Sequence, residues 1–506
     1  MSDSNKYNIL NRLSVSFGFN ILRSLASFLT VILLARWLGP QEYGIMVFLL
    51  ASFVAYQALV DMASTSAFFT FLSQRTRSKK FIIFYWRWIA IQFFVSFGII
   101  YLILPDSLVT TIWHGESRNL IILAFVATFM QQTVWTIVSQ MAEANRESIK
   151  IQKISVIFTT GHFFIVFLLW KFGILLLPLI FIALFFEWGL ASLVASKLYY
   201  KNRFDKENID SHSDTAASVF REFWIYCWPF IPMVGFTFFH NISSVWMLQE
   251  WGGAEEQAYH GIGLQFAAIP MIFTASVLKI FWKEIAEAKH LGDMQKLEYL
   301  YYRATRSLFF IGAIFAGLLS PWSREIILLF LGNEYLAGII PLMLMLIYPV
   351  HQSFGQLASA MLFATENTKI QVILGMIFAT IGILVTFILL SPQAGFQLAA
   401  IGLALKLIVV QILEVNTKSF VISRIFKWKF DWAFQIFALG FCLIFGWICK
   451  LMFGYIIDGN IYITFLLSSI VYIILILLFL YIYPLMTGFN INQLNNGIKN
   501  IINKID

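Results

Sequence analysis

The chain has 506 residues, of which 59% are hydrophobic, 17% aromatic and only 12% charged, and its mean hydropathy is +0.78. Since a soluble domain is about half apolar and about a quarter charged, this composition excludes a soluble protein and indicates one that crosses a membrane many times. The net charge of +8 would favour nucleic acid as the partner of a soluble protein. Here basic residues concentrated in cytoplasmic loops account for it better, so no nucleic-acid partner is expected.

Fourteen apolar segments are long enough to cross a bilayer as helices, which takes about 20 residues each. The predicted fold is therefore an all-α polytopic membrane protein with about 14 transmembrane helices and both termini on one side. The segments lie at residues 13–37, 44–71, 81–104, 119–141, 154–171, 174–197, 222–248, 258–281, 305–330, 338–363, 370–390, 396–420, 432–456 and 460–484.

The first two segments are joined by the polar turn from Gly39 to Gly44. Gly39-Pro40 ends the first helix because proline cannot continue the hydrogen-bond ladder. These two helices contain the ionisable residues Arg23 and Asp61. A charge inside a span must face protein or water, so both are candidate functional residues, although an Arg23–Asp61 pair that only fixes the two helices is an equal alternative.

The distribution of basic residues predicts the orientation. Of the 35 lysines and arginines, 27 fall in the segments that would be cytoplasmic if both termini are cytoplasmic, and five fall in the opposite loops. The positive-inside rule therefore places the N- and C-termini in the cytoplasm.

A charged, Ser/Asp/Asn-rich stretch divides the chain near its middle. The glycine-bounded turn at Gly39–Gly44 is echoed at Gly252–Gly261, as two parallel six-helix repeats would give; alternatively, outside turns simply collect glycine and glutamate. The predicted parts are an N-terminal lobe at 1–197, a cytoplasmic linker at 198–221, a C-terminal lobe at 222–422, a helix pair at 423–488 and an amphipathic tail at 489–506.

The loops lack the residues of an enzyme. The outside loops carry only scattered carboxylates, and no His/Asp/Glu set has the spacing of metal ligands. Cys227, Cys442 and Cys449 lie in apolar runs without a CxxC pair, which favours buried, inert thiols. We therefore expect neither catalysis nor a cofactor.

Several motifs resemble one family. Arg36-Trp37-Leu38-Gly39-Pro40-Gln41-Glu42-Tyr43-Gly44 is similar to the signature after the first helix of Wzx-type polysaccharide flippases, and Asp61 lies where those proteins often carry Asp-Leu-Gly, though Met62-Ala63 follows here. Many relatives carry an acid late in the seventh span, where this chain has His240-Asn241-Ile242-Ser243-Ser244. Further matches are Phe230-Ile231-Pro232, Trp251-Gly252-Gly253 with Tyr259, Tyr335 with Ile340-Pro341, and Thr365-Glu366-Asn367.

The resemblance implies a bilobed protein of the multidrug/oligosaccharidyl-lipid/polysaccharide (MOP) exporter superfamily, with a MATE-like fold, in a bacterial inner membrane. It would flip an undecaprenyl-pyrophosphate-linked oligosaccharide to the outer leaflet, working among membrane lipids and beside a polysaccharide polymerase. Each unpartnered hydroxyl costs roughly 4–8 kcal/mol in hydrocarbon, so such a substrate requires a hydrated cavity with cationic groups for its phosphates. A lipid II flippase and a drug/cation antiporter of the same superfamily are the alternatives.

Seven residues are candidates for this task. Arg23 and Lys406 would contact phosphate, and Asp61 and Glu414 would complete the substrate site. Lys406 and Glu414 lie eight residues apart on one helical face, where they could line the cavity or satisfy each other through a neighbouring helix. Glu187 and His162 lie at similar depths, so they could meet and carry a proton in H⁺- or Na⁺-coupled transport, or form a buried pair that is only structural. His351 lies in a proline-broken span, where it could line a cavity or belong to the core.

Overall fold

The computed structural model describes residues 3–75, 77–145, 147–203, 215–393, 395–430, 432–456 and 460–483. Within these ranges the chain forms helices and turns, and no strand occurs. Part of the predicted linker at 198–221 and all of the predicted tail at 489–506 lie outside the described residues.

Nineteen α-helices follow one another in the described part of the chain. They are α1 (Asp3–Asp61), α2 (Ser64–Gln74), α3 (Lys79–Gly98), α4 (Asp106–Ile112), α5 (Arg118–Thr128), α6 (Trp135–Ala144), α7 (Ser148–Lys171), α8 (Leu177–Arg203), α9 (Ala216–Cys227), α10 (Ile231–Gly252), α11 (Ala254–His290), α12 (Met294–Leu319), α13 (Ser323–Phe330), α14 (Ile339–Met345), α15 (Tyr348–Ala364), α16 (Thr368–Leu390), α17 (Ala399–Phe426), α18 (Ala433–Ile456) and α19 (Ile461–Ile482).

These helices account for the fourteen predicted spans. Eleven segments of the described chain are long and apolar enough to cross a membrane, and one of them, Gly18–Asp61, contains two helices that meet at Gly39. The long helix α11 covers the predicted span at 258–281, and the predicted span at 222–248 is divided between the end of α9 and α10. The protein is therefore an all-α polytopic membrane protein, as predicted.

The chain divides into two compact units, unit 1 at residues 1–258 and unit 2 at residues 259–506. In unit 1, α1 packs along α7 and α10, and α9 packs on α2 and α3. In unit 2, α12 packs on α15 and α18, and α17 packs on α15 and α16. The boundary between these units along the chain falls within α11. The sequence instead predicted that a linker at 198–221 separates the two lobes. The predicted lobe boundaries stay a prediction.

Three turns share one glycine conformation. Gly39 has φ 76° and ψ 169°, Gly253 has φ 84° and ψ −177°, and Gly332 has φ 94° and ψ −175°. This region of the backbone map is essentially restricted to glycine. Each glycine precedes a helix whose first turns contain a buried tyrosine, at Tyr43, Tyr259 and Tyr335. The first two turns are those of the predicted repeat, and the third was not recognised in the sequence.

Gly39→Ala should lower the free energy of unfolding by about 1–3 kcal/mol, because a Cβ is strained at this φ and ψ. The measurement is unfolding of the purified protein in mixed micelles. Gly235→Ala is the matched control, since Gly235 lies inside α10 with no atom within 4 Å of an added Cβ. If both substitutions have the same effect, the turn conformation is not what makes Gly39 necessary.

Several interruptions were missing from the predicted spans, and two of them lie in the second and third spans. The second predicted span, 44–71, breaks at Met62 and Ala63, whose φ angles are 48° and 65°. The third span ends in a π-helical turn at Ile99–Ile103. Arg118 donates to the carbonyl oxygens of Ile100, Tyr101 and Leu104. This arginine thus satisfies the carbonyl groups that the end of the helix leaves without partners.

His114 and Glu250 join the loop before α5 to the end of α10. His114 Nδ1 lies 3.1 Å from Glu250 Oε2, and the imidazole contacts the rings of Phe48 and Trp246. Burial lowers the pKa of His114 below its usual 6.5, and Glu250 partly opposes this. Burial raises the pKa of the nearby Glu116, with a smaller contribution from the charge of Glu42.

Stability should therefore fall as the pH drops below 6.5. In that window the unfolded chain protonates His114 before the folded chain does, so the unfolded state binds more protons. His114→Gln should flatten this part of a melting-temperature profile. Glu116 acts in the opposite sense, since its stabilising contribution is lost as the pH rises through its raised pKa. Measuring Glu116→Gln as well therefore separates the contributions of Glu116 and His114 to the pH profile. If the slope of melting temperature against pH is unchanged in His114→Gln, groups other than His114 dominate this pH dependence.

Candidate functional site

His162 on α7 and Glu187 on α8 form the contact that was predicted for them. His162 Nδ1 lies 2.8 Å from Glu187 Oε2 and 3.1 Å from Oε1, and their side chains are only 14% and 8% exposed. His162 is nine residues from the end of α7, and Glu187 is ten residues from the start of α8. At 1.5 Å per residue both lie roughly 14 Å from the helix ends, near the middle of a bilayer about 30 Å thick.

Asp61 is held where α1 ends. Its Oδ1 accepts hydrogen bonds from the hydroxyl groups of Ser64 and Thr65 and from the backbone N–H of Thr65. The phenol oxygen of Tyr85 lies 3.2 Å from the Thr65 hydroxyl. Asp61 therefore stabilises the first turn of α2 after the break at Met62 and Ala63, and it lines a cavity.

Arg23 is exposed on α1, and no ion pair joins it to Asp61 among the described residues. The alternative in which these two residues pair to fix the first two helices thus finds no contact in the structure. A planar guanidinium that stays accessible within an apolar span is suited to bidentate contact with phosphate oxygens.

In unit 2, Lys406 and Glu414 lie on α17, as predicted from their spacing, but they are not an ion pair in the described chain. Glu414 instead pairs with Lys418 one turn later, at 2.6 Å, and Lys418 donates to Ser359 on α15 at 3.0 Å. Lys406 is 3% exposed and Lys418 is 4% exposed. From the sequence, Lys418 was expected near the cytoplasmic end of its helix. Its (i, i+4) spacing from Glu414 is the pattern that could have predicted their ion pair.

His351 lies in the first turn of α15, after the chain breaks between α14 and α15 as its proline predicted. The side chain is 5% exposed and contacts the ring of Phe309 edge to face, with 5.1 Å between centroids. Its Nδ1 has no hydrogen-bond partner in the described chain. Both readings of His351, a cavity residue or a core residue, therefore remain predictions.

Arg77 and Glu222 form an ion pair that sequence reasoning missed. The guanidinium donates to both carboxylate oxygens, at 2.9 and 2.6 Å, and lies between the rings of Phe71 and Phe81. The pair joins the turn between α2 and α3 to α9. Arg77 was counted as one of several basic residues in a cytoplasmic loop, and nothing in the sequence indicates a partner 145 residues away.

The described residues include no group of three or more His, Cys, Asp or Glu side chains that could hold a metal ion. All three cysteines are buried, as predicted. The interior contains the His162–Glu187 pair at mid-membrane depth in unit 1 and the buried amines of Lys406 and Lys418 in unit 2. Ionisable groups held inside several spans are typical of membrane transporters.

Comparison with solved structures identifies the fold. The chain is similar to the lipid II flippase MurJ in an inward closed conformation, with a TM-score of 0.69, 17% identity, and coverage of 91% of this chain and 98% of that one. It is also similar to an inward-facing multidrug resistance MATE family transporter of the MOP superfamily, with a TM-score of 0.58, 15% identity, and coverage of 82% and 99%. A MATE transporter of Vibrio cholerae gives a TM-score of 0.52 at 12% identity, with coverage of 84% and 98%.

No family model matches the sequence, and no curated protein matches it. The chain nevertheless shares its fold with these structures of flippases and transporters over 82% to 91% of its length.

Proposed function

We propose that the protein is a flippase that moves an undecaprenyl-pyrophosphate-linked oligosaccharide repeat unit from the cytoplasmic to the outer leaflet of a bacterial inner membrane by alternating access. The observation that carries this proposal is the similarity to a lipid II flippase along 91% of the chain. The signature at Arg36–Gly44 supports a polysaccharide repeat unit rather than lipid II as the substrate.

Cationic groups inside the spans support an anionic substrate. Arg23 is exposed on α1 of unit 1, and Lys406 is buried in α17 of unit 2. In the proposed function Arg23 binds phosphate oxygens of the substrate, and Lys406 stays a predicted substrate contact, while the isoprenoid tail stays in the lipid. Glu414, which forms an ion pair with Lys418, stays a predicted substrate contact. Asp61 stays a predicted substrate contact.

The deciding experiment uses proteoliposomes that contain the purified protein. Translocation of a fluorescent undecaprenyl-pyrophosphate oligosaccharide is expected, and it should exceed that of lipid II and that of an organic cation measured in the same vesicles. Faster movement of lipid II would favour the lipid II flippase alternative. Movement of the cation alone would favour the antiporter. In cells, deletion should accumulate the lipid-linked repeat unit on the cytoplasmic face.

Arg23 is tested by substitution in the same assay. Arg23→Ala should reduce translocation at least about tenfold, and Arg23→Lys should restore it only in part, because lysine lacks the bidentate fork. Arg87→Ala is the control, since Arg87 is an exposed arginine on another span, α3. Full activity of Arg23→Ala would remove this residue from the site.

We further propose that the His162–Glu187 pair carries the coupling proton. Proton exchange between an imidazole and a carboxylate within hydrogen-bonding distance requires no large movement. In vesicles with an imposed pH gradient, Glu187→Gln should abolish the acceleration that the gradient causes and leave gradient-independent translocation in place. Asp106→Asn, at an exposed carboxylate, is the control. Wild-type transport that does not respond to proton or sodium gradients would discard coupling.

A further inference from the structure

A row of polar side chains runs along α7 from its first turns to the His162–Glu187 pair. Gln152, Ser155 and Thr159 precede the histidine at successive spacings of three, four and three residues, so they lie with it on one face of the helix. Ser155 and Thr159 are only 4% and 7% exposed, and Gln152 is half-buried. The row therefore packs against other helices and joins one end of α7 to the pair.

Beyond the pair the same helix faces are apolar. The next residue on this face of α7 is Val166, which is fully buried, and on α8 the buried Leu184 precedes Glu187 by one turn. One and two turns after Glu187, in contrast, come the small residues Ala191 and Ala195. Because consecutive spans cross the membrane in opposite directions, these alanines lie at the level of the polar row. Polar and small side chains therefore extend from the pair toward one end of α7 only.

This polar end is the one that the distribution of basic residues predicts to be cytoplasmic. It begins at Ser148 and carries two lysines in its first turns. Apart from Asp61 and the pair, the charged side chains of α1, α6, α7 and α8 whose exposure is described are all exposed, namely Arg23, Arg36, Glu42, Glu143, Lys150, Lys153, Lys171 and Lys197. Among these residues, hydroxyl groups and an amide are therefore what connects the pair with the helix end.

The spacing of the row suits single bridging waters. At 1.5 Å per residue its steps are about 4.5 to 6 Å along the helix, which is too long for one hydrogen bond and close to the span of two hydrogen bonds through a water. Ser155 Oγ is buried and has no hydrogen-bond partner in the described chain. Buried hydroxyl groups in proteins are nearly always bonded to protein or to ordered water. A water beside Ser155 would satisfy this oxygen and continue the row.

We propose that Gln152, Ser155 and Thr159, with single waters between them, conduct protons between the cytoplasmic end of α7 and the His162–Glu187 pair. Each hydroxyl accepts a proton from the water on one side and gives its own proton to the water on the other, so one proton moves and every group is restored. The amide of Gln152 only orients the first water. Val166 and Leu184 keep protons from reaching the pair from the opposite membrane face, because an ion is costly to place among apolar side chains.

This path rests on the proposal that the pair carries the coupling proton, but its test needs no transport substrate. A laser pulse releases protons from a caged acid, and time-resolved infrared spectroscopy follows the carboxylate and imidazole bands of the pair in the purified full-length protein in detergent micelles. Glu187→Gln assigns these bands by their loss. Thr159→Val keeps the shape of the side chain and removes the hydroxyl, so it should slow proton uptake at least about tenfold. Ser155→Ala should slow it about threefold, since a water can occupy the vacated volume.

Two readouts separate conduction from packing. The pH at which the pair is half protonated should stay the same in both variants, because a path changes the rate of proton transfer and not its end state. Thr159→Ser should restore the wild-type rate, since it returns the hydroxyl. Thr128→Val is the matched control, because Thr128 on α5 is 1% exposed and its hydroxyl donates to the carbonyl oxygen of Ala124, away from the row.

Wild-type rates in Thr159→Val and Ser155→Ala would overturn the path, and so would a Thr159→Ser variant as slow as Thr159→Val. If one variant fails to fold, the other decides, since each interrupts the row. A pair that takes up no proton in the range where carboxyl and imidazole groups titrate would overturn the path and the coupling role together. Normal proton uptake without any translocation of the lipid-linked oligosaccharide would instead contradict the proposed function and leave the path in place.

Discussion

Glu222→Gln is expected to lower the free energy of unfolding by about 3–5 kcal/mol, because it leaves Arg77 buried without its counter-charge. Arg77 is 3% exposed, and both of its terminal nitrogens donate to Glu222. Its Nε donates to the carbonyl oxygen of Phe71, at 3.2 Å, so the guanidinium cannot turn to solvent without losing this bond as well. Unfolding in mixed micelles measures the change.

The control is an exposed ion pair. Glu147 and Lys150 lie 3.4 Å apart with the lysine side chain 59% exposed, so Glu147→Gln should cost less than about 1 kcal/mol. The double variant Arg77→Met with Glu222→Leu should recover much of the loss, since it removes both charges together. A small effect of Glu222→Gln would mean that water reaches Arg77 in the folded protein.

Gly446→Leu should prevent α18 from packing on α12 and reduce the yield of folded protein. The two helices meet at Gly317 and Gly446, where a Cβ on either residue would lie well inside van der Waals contact with the backbone of the other helix. Small residues permit this close approach between membrane helices. The smaller change Gly446→Ala should cost about 1–3 kcal/mol or more, because the obstructing atoms are backbone atoms that cannot move aside.

Gly440→Ala is the matched control on the same helix. A Cβ at Gly440 meets nothing within 4 Å, and alanine favours the helix by about 1 kcal/mol, so this variant should be neutral or more stable. Thermal unfolding followed by size-exclusion chromatography distinguishes the two variants. If Gly446→Ala and Gly440→Ala behave alike, the close contact does not limit stability.

Local rules predicted the spans and some of their ends. Gly39-Pro40 ends the first helix as expected. These features depend on residues that are neighbours in the sequence, so hydropathy and backbone preferences are sufficient to find them. The break at Met62 and Ala63 could not be found in this way, because neither residue has an intrinsic preference for positive φ.

The sequence predicted contacts between ionisable residues only where similar depth in the membrane restricted which residues could meet. His162 and Glu187 were matched because consecutive spans place them at similar heights, and they do form a contact. Lys406 and Glu414 were instead associated by their spacing along one helical face, yet Glu414 pairs with Lys418. Helical spacing alone allows either Lys406 or Lys418 to lie on the same face as Glu414. The packing of α15 against α17 favours Lys418, because Ser359 on α15 accepts a hydrogen bond from it.

The sequence by itself determined that this is a membrane protein with about fourteen membrane-spanning segments, because apolar length and charge are properties of each segment alone. Tertiary structure alone decided that Arg77 meets Glu222 and that Asp61 lies in the wall of a cavity lined by aromatic rings. These arrangements join α9 to α2 and α3 across about 150 residues of sequence. Such contacts follow from how helices pack against one another, which no local pattern encodes.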